Sequence, residues 1–279
     1  MHYLIIDGNN LLHRVYWIAK HKNQETTNLY IELFIKSLRT YYNLFTPDHI
    51  LCTWDKKMFG EEPNFRQKLC EYKQNRDTEY NTQVYQHIDE LNRFMLSLGI
   101  KIMYPGYLEA DDIIHWCTTQ HAEDKFTVIS ADKDLLQLVS QNTNVYNPVK
   151  KQLYTSENFT ELTSVTPEQF ILQKAIIGDV SDNIKGLANI GIKRAQKYIN
   201  GELQFTPEQQ SIIDTNMQLV DLSQGWQVNE PRERKIYEKQ FSLPWPTSLK
   251  KVFFTLCLNF SLYKIMKNPE QYDMFFKNS

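Results

Sequence analysis

The sequence is short of cysteine, and none of the four is paired by spacing. Cys52, Cys70, Cys117 and Cys257 stand far apart with no CxxC among them. Three of them sit beside apolar residues, so they read as buried free thiols rather than zinc ligands or a disulfide framework. That usage fits a reducing interior. Long apolar runs are missing as well: none approaches the ~20 residues needed to span a bilayer. The opening MHYLIID reads as a strand, not as a basic leader followed by an apolar segment. A soluble, cytoplasmic protein is the expectation. Repeats and low-complexity stretches are absent. So is any excess of one charge, the formal net charge being −2 over 279 residues. Bulk electrostatics therefore do not announce a polyanionic partner. If nucleic acid is bound, acids must gather at one site and bases along a track leading to it.

What is present is ordinary in bulk, with 42% apolar and 23% charged residues, and ordered in pattern. The length suits one large domain, or a core with a smaller appendage. Tyr3-Leu4-Ile5-Ile6 is a short apolar run ending in Asp7-Gly8-Asn9-Asn10, which predicts a buried strand and a loop. Leu29, Leu33, Ile35, Leu38, Tyr42 and Phe45 recur at helical spacing. His49 to Trp54 is a second strand followed by Asp55, and Ile100 to Met103 a third. Phe126 to Ile129 is a fourth, followed by Asp132 and an apolar helical stretch through Val139. Val84, Ile88, Leu91, Met95 and Leu98 predict a single helix capped by Gly99. Ala110, Ile113, Ile114 and Cys117 predict another. Strands alternating with helices indicate a mainly parallel sheet flanked by helices, an α/β fold. Beyond Thr166 the pattern is all-helical, with Thr-Pro-Glu-Gln helix starts at 166–169 and 206–209. The division expected is an α/β core over 1–165 and a helical region over 166–279.

Chemistry enters with the acids. Asp7, Asp55, the Glu109-Ala110-Asp111-Asp112 run, Asp132 and Asp134, and Asp179 with Asp182 are scattered in sequence. Most of the strands place an acid just past their ends, Asp7, Asp55 and Asp132 among them, and open α/β sheets bind ligands in the crevice at that edge. Singly, such acids are helix caps and dipole partners worth ~0.3–1 kcal/mol. Jointly they would repel, two unit charges ~4 Å apart by about 4 kcal/mol at an effective dielectric of 20. Hard divalent cations remove that cost. A metal pair also provides the clamp that phosphoryl displacement uses.

Between the second strand and the Val84–Leu98 helix lies a polar stretch, about Phe65 to Thr82, containing Tyr72-Lys73-Gln74-Asn75-Arg76. It reads either as a solvated loop or as an arch in which Lys73 and Arg76 bind a phosphate and Tyr72 stacks on a base. Phe65, Arg66 and Lys68 lie just upstream. Later, Gly186-Leu187-Ala188-Asn189-Ile190-Gly191 reads as a tight turn before a helix. Its exposed amides, with Lys185, Lys193, Arg194 and Lys197, suit a phosphate backbone.

With these residues assembled, the chain resembles the 5′-nuclease superfamily of flap endonucleases and 5′–3′ exonucleases, most of all its compact bacteriophage members. The likeness runs from Met1 to about Ser223 and rests on the order Asp7, Asp55, EYKQNR, EADD, DKD and GDVSDN. It implies a structure-specific, two-metal phosphodiester hydrolase that removes flaps or RNA primers in replication. Metal ligands are implied at Asp7, Asp55, Glu109, Asp111, Asp112, Asp132, Asp134, Asp179 and Asp182, holding two Mg²⁺ ions with Mn²⁺ as a substitute. Catalytic bases are implied at Lys73 and Arg76, in a helical arch over about 65–98. A helix–three-turn–helix at about 184–200 would hold duplex DNA through Lys185, Gly186, Asn189, Gly191, Lys193, Arg194 and Lys197, with Tyr72 of the arch as a further DNA contact. That motif often holds a potassium ion; the family commonly has Gly where this chain has Asn189, a residue that tolerates left-handed backbone. The partners implied are DNA with 5′ ends, and single-strand-binding or polymerase proteins; a monomer and no membrane are expected. One rival reading is a PIN-type single-strand ribonuclease, which needs neither the arch nor the turn. A branched-DNA-binding protein without chemistry would be expected to lose carboxylates. A phosphatase using Asp7 as nucleophile would want a second Asp at position 9, which is Asn.

Overall fold

The computed structural model describes residues 1–22, 28–59, 65–74 and 78–276, apart from the side chains of 78 and 228–230. Strand β1 (His2–Asp7) runs into α1 (Gly8–His21), followed by α2 (Leu29–Phe45) and β2 (His49–Thr53). Short helices α3 (Phe65–Leu69) and α4 (Thr78–Tyr85) precede α5 (Ile88–Ser97), β3 (Lys101–Met103), α6 (Ala110–Gln120) and β4 (Lys125–Ile129). A 3₁₀ turn (Asp134–Leu138) leads to β5 (Thr143–Asn147) and β6 (Gln152–Tyr154). After α7 (Phe159–Thr163) and α8 (Pro167–Ile177) comes a small hairpin of β7 (Gly178–Asp179) and β8 (Ile184–Lys185). Helices α9 (Ile192–Ile199), α10 (Pro207–Val220), α11 (Leu222–Ser242), α12 (Lys250–Asn259) and α13 (Tyr263–Met266) complete the chain with a 3₁₀ segment, Pro269–Phe276.

The main sheet has the order β3-β2-β1-β4-β5-β6, parallel throughout except for β6. β1 is central because every residue from Leu4 to Ile6 is fully buried, the continuous apolar run that a strand covered on both faces requires. Each such side chain contributes about 1.5–3 kcal/mol by leaving water. Leu4 and Ile6 face α1, α2 and α5, whose Leu12, Phe34 and Phe94 join the same core. Tyr3 and Ile5 face α6 and α11, meeting Ile113, Cys117 and Tyr237. A third cluster joins α8, α9 and α10 through Ile176, Ala195 and Ile213, and Tyr72 belongs to it. All four cysteines are free, and Cys52, Cys117 and Cys257 are buried.

The single helix expected over Val84–Leu98 is two helices, α4 and α5, with a turn at Gln86 and His87. The bend seats His87 against Tyr30 (ring centroids 4.3 Å) and Tyr16 (5.5 Å). Ring contacts that no helical period encodes override the apolar spacing there. Both Thr-Pro-Glu-Gln starts are capping boxes as the sequence predicts: Thr166 and Thr206 each accept the amide of the Gln three residues on. The apolar stretch after Asp132 closes as a 3₁₀ turn rather than an α-helix. The last helices complete the sheet's own core, since Phe253, Cys257 and Tyr272 lie with Phe34 and Phe94. No helix among the described residues is long and apolar enough to cross a membrane.

Candidate active site

The acids that follow strand ends meet because β1, β2 and β4 are parallel and end at nearly one level. Asp7 ends β1 and caps α1, its Oδ1 accepting the amide of Asn10 at 3.0 Å while its Oδ2 accepts the Ser130 hydroxyl at 2.6 Å. The turn into α1 requires Gly8: a Cβ there would lie 2.7 Å from the Thr53 carbonyl oxygen and 2.8 Å from the Trp54 ring. Asp55 follows β2. Its amide donates to Asn9 Oδ1 at 3.0 Å, and its carboxylate accepts the Ala110 amide at 2.7 Å, tying β2 to the start of α6. Asp132 follows β4, its amide donating to Ser130 Oγ at 2.9 Å and its carboxylate accepting the Asp134 amide at 2.8 Å. Asp7, Asp55, Asp111 and Asp132 line one cleft of about 220 Å³, together with Lys73, His13 and Tyr85.

The electrostatics of this cleft are those of crowded carboxylates drawn away from water, Asp7 buried and Asp55, Asp111 and Asp132 half-buried. Burial raises Asp7 to about 7, with Asp132 and Asp55 adding to the effect against the hydrogen bonds from Ser130 and Asn10. Burial likewise raises Asp111, and the charges of Asp132 and Asp7 push it further. Asp132 is raised by burial despite Lys174 and Lys73 nearby. Asp7, Asp111 and Asp132 resist ionisation on their own, and such a set of oxygen donors fits a hard divalent cation, which takes carboxylates and water. Asp7, Asp55, Asp111 and Asp132 are the residues that could hold it.

The other predicted acids are placed around this cleft in three ways. Glu109 Oε2 accepts the Lys73 ammonium at 2.9 Å and lies 3.1 Å from the Tyr72 hydroxyl, which is also 3.2 Å from Asp182 Oδ2. Asp134 and Asp179 share the ammonium of Lys174, which lies 2.9 Å from Asp179. Asp179 is held down at about 2: burial would raise it, but the Ser181 hydroxyl and Lys174 outweigh that. Asp112 requires a correction. It is 0% exposed, its two oxygens accept Arg66 Nη1 and Nη2 at 3.0 and 2.9 Å, and Oδ2 also accepts the Glu109 amide at 3.1 Å. Both oxygens are spent on a buried ion pair and a helix cap, not offered to the cleft.

Tyr72 is a second correction. It is 5% exposed, packed in the cluster of α8 to α10, with its hydroxyl turned to Glu109 and Asp182, so no base can stack on it. Lys73 does reach the cleft; its left-handed backbone (φ 57°) is fixed by its amide donating to the Asp182 carbonyl at 3.1 Å. Arg76 lies outside the described residues. At the turn, Lys185, Asn189, Gly191, Lys193, Arg194 and Lys197 are exposed and Gly186 is half-buried. Asn189 adopts φ 60°, and its carbonyl accepts Arg194 Nη1 at 3.3 Å.

Sequence reasoning missed Asn9, Asn10, Ser130 and Lys174. The asparagines had a signal, standing directly after Asp7-Gly8 at a strand end; Ser130 and Lys174 had none. Another group with ligand spacing, His121, Glu123 and Asp124, lies at the opposite end of the sheet. There Asp124 already pairs with the Met1 ammonium at 2.7 Å.

Residues 2–164 match the family described as 5′-3′ exonuclease, N-terminal resolvase-like domain. The chain belongs to the 5′–3′ exonuclease family. It is 29% identical to a 5′-3′ exonuclease of Mycoplasmopsis pulmonis, over 97% of this chain and 90% of that protein. It is 32% identical to the Bacillus subtilis 5′-3′ exonuclease, over 91% and 88%. Its fold is that of the bacteriophage T5 flap endonuclease solved with DNA and metal ions, at a TM-score of 0.70 and 21% identity, covering 92% of this chain and 99% of that one. As a member of this family the chain is a 5′-nuclease, a phosphodiester hydrolase.

Proposed function

We propose that this 5′-nuclease works with two Mg²⁺ ions held by Asp7, Asp55, Asp111 and Asp132, with Glu109, Asp134, Asp179 and Asp182 around them and Mn²⁺ able to substitute. The observation that carries this reading is the convergence of four carboxylates and the Lys73 ammonium in one cleft. When bound, the ions supply Lewis-acid polarisation of the phosphate and an activated water. The protein's own part is preorganisation. Ser130 and Asn10 aim Asp7, Asn9 aims Asp55, and Lys174 keeps Asp134 and Asp179 together. Lys73, held over Glu109, brings positive charge to the scissile phosphate, with Arg76 as its companion in the arch.

The substrate proposed is DNA with a 5′ end, a flap or an RNA primer, removed in the course of replication. Its duplex lies on the turn before α9, where Lys185, Lys193, Arg194 and Lys197 meet phosphates and Asn189 helps hold a potassium ion. The chain acts as a cytoplasmic monomer beside polymerase and single-strand-binding proteins. The test is a labelled 5′-flap DNA incubated with the protein and Mg²⁺, with product lengths read on a gel. Short 5′ products that vanish with chelator support the reading; cleavage unchanged by chelator, or confined to single-stranded RNA, refutes it.

A further inference from the structure

We infer that Glu233 is a positioning residue for the ion site, its carboxylate holding the loop that delivers Glu109 and Asp111 to the cleft. The inference rests on the reading of that cleft as a divalent-ion site. Glu233 lies on α11, beyond the residues matched by the family description, and is 0% exposed. Its carboxylate accepts three successive backbone amides: Gly106 at 3.0 Å on Oε2, and Tyr107 at 2.5 Å and Leu108 at 3.2 Å on Oε1. Three converging amides form a nest for an anion, and hydrogen bonds to an ionised acceptor are about twice as strong as neutral ones.

The residue after this loop is Glu109, and the next amide, that of Ala110, is taken by Asp55. The backbone from 106 to 110 is thus fixed by α11 on one side and by a cleft acid on the other. The fit at Gly106 is close: a Cβ there would lie 3.1 Å from Glu233 Oε1 and would collide with Ile236. Two turns earlier on the same helix, Gly225 lies against the Arg66–Asp112 pair, its hypothetical Cβ 2.6 Å from Asp112 Oδ1. One helix therefore grips the segment 106–112 at two points, and Glu233 is the charged one. Groups that hold metal ligands in place without touching the metal typically control 10–100-fold in affinity or activity.

The test is a Mn²⁺ titration of the DNA-free protein by calorimetry, with Glu233→Gln, Glu233→Asp and, as a charge control on the exposed face of α11, Glu238→Gln. Circular dichroism fixes a temperature at which all are folded. Both Glu233 variants should bind Mn²⁺ about 10–100-fold more weakly, and exchange their Gly106, Tyr107 and Leu108 amides faster, while Glu238→Gln matches the wild type. A folded Glu233→Gln with unchanged Mn²⁺ affinity, whatever its melting temperature, would overturn the role. Should neither Glu233 variant fold, the wild type decides: exchange of the 106–108 amides as slow as in β3 upholds the grip, and loop-like exchange overturns it. Failure of the wild type to bind Mn²⁺ at all would instead overturn the ion-site reading, and this role with it.

Discussion

Arg66 and Asp112 form a two-point ion pair sealed from solvent, the guanidinium nitrogens 2.9 and 3.0 Å from the two carboxylate oxygens and the side chains 1% and 0% exposed. Arg66 Nε also donates to the Leu219 carbonyl at 3.1 Å, so the pair joins α3 to both α6 and α10. Removing one partner strands a buried charge, which costs about 3–5 kcal/mol. Arg66→Met should lower stability by that amount in urea unfolding. Arg66→Met with Asp112→Leu should recover much of it. A single variant as stable as the wild type would show that the pair contributes little.

Asp111→Asn or Asp132→Asn should abolish divalent-ion-dependent cleavage while DNA binding survives, because loss of a carboxylate weakens an ion site and also reduces repulsion toward phosphate. Asp112→Asn should instead act chiefly on stability. Cleavage and binding assays on the three variants separate the roles; near wild-type cleavage by Asp111→Asn and Asp132→Asn together would remove both from the chemistry.

Lys73→Ala should reduce the single-turnover rate at saturating DNA by about 10²–10³, the usual effect of losing one preorganised donor to developing charge. The dissociation constant should change far less. Equal rates for variant and wild type would take Lys73 out of the reaction.

The metal-free protein should lose stability as pH rises from about 4 to 7. Asp7 sits at about 7 in the folded state against an ordinary 3.8, and Asp111 and Asp132 are shifted the same way. The folded form therefore holds protons that the unfolded chain releases, and the stability that gives is complete below the unfolded value and lost through the folded one. Asp179, held at about 2, acts in the opposite sense but only below about pH 4. Melting in chelator at pH 5 and pH 7.5 should show the fall, Asp7→Asn should flatten it, and added Mg²⁺ should reverse it. A melting temperature that climbs over this range would contradict the assignment.

Lys193→Ala and Arg194→Ala should each weaken duplex binding about equally across sequences and reduce the slope of log affinity against log salt by about 1, since a phosphate contact carries no base information. A loss that depends on sequence would point to base readout instead.

The residues that announced themselves in the sequence are those whose chemistry has no cheaper explanation in bulk. Asp7, Asp55, Asp111 and Asp132 follow strands or open a helix, and parallel pairing brings them together. Asp112 stands in the same acidic run but is taken by Arg66, a pairing across 46 residues that spacing cannot disclose. Tyr72 sits among polar neighbours, and only the docking of α8 to α10 buries it. The split between α4 and α5 was hidden for the same reason, because His87 answers to Tyr30 on another helix rather than to its own period. Thr166 and Thr206 were legible since a cap is settled within four residues.

The order of the strands also has a consequence in time. β1 is made first, yet its neighbours are residues 49–53 and 125–129, so one flank has no partner until more than a hundred further residues exist. The core on the α1 face waits longer still, for Phe253 and Tyr272. Contacts of such long range slow folding, and an apolar strand left with an open edge invites pairing with other chains. During refolding from denaturant the yield should therefore fall as protein concentration rises, and a β1 edge made less adhesive should recover it.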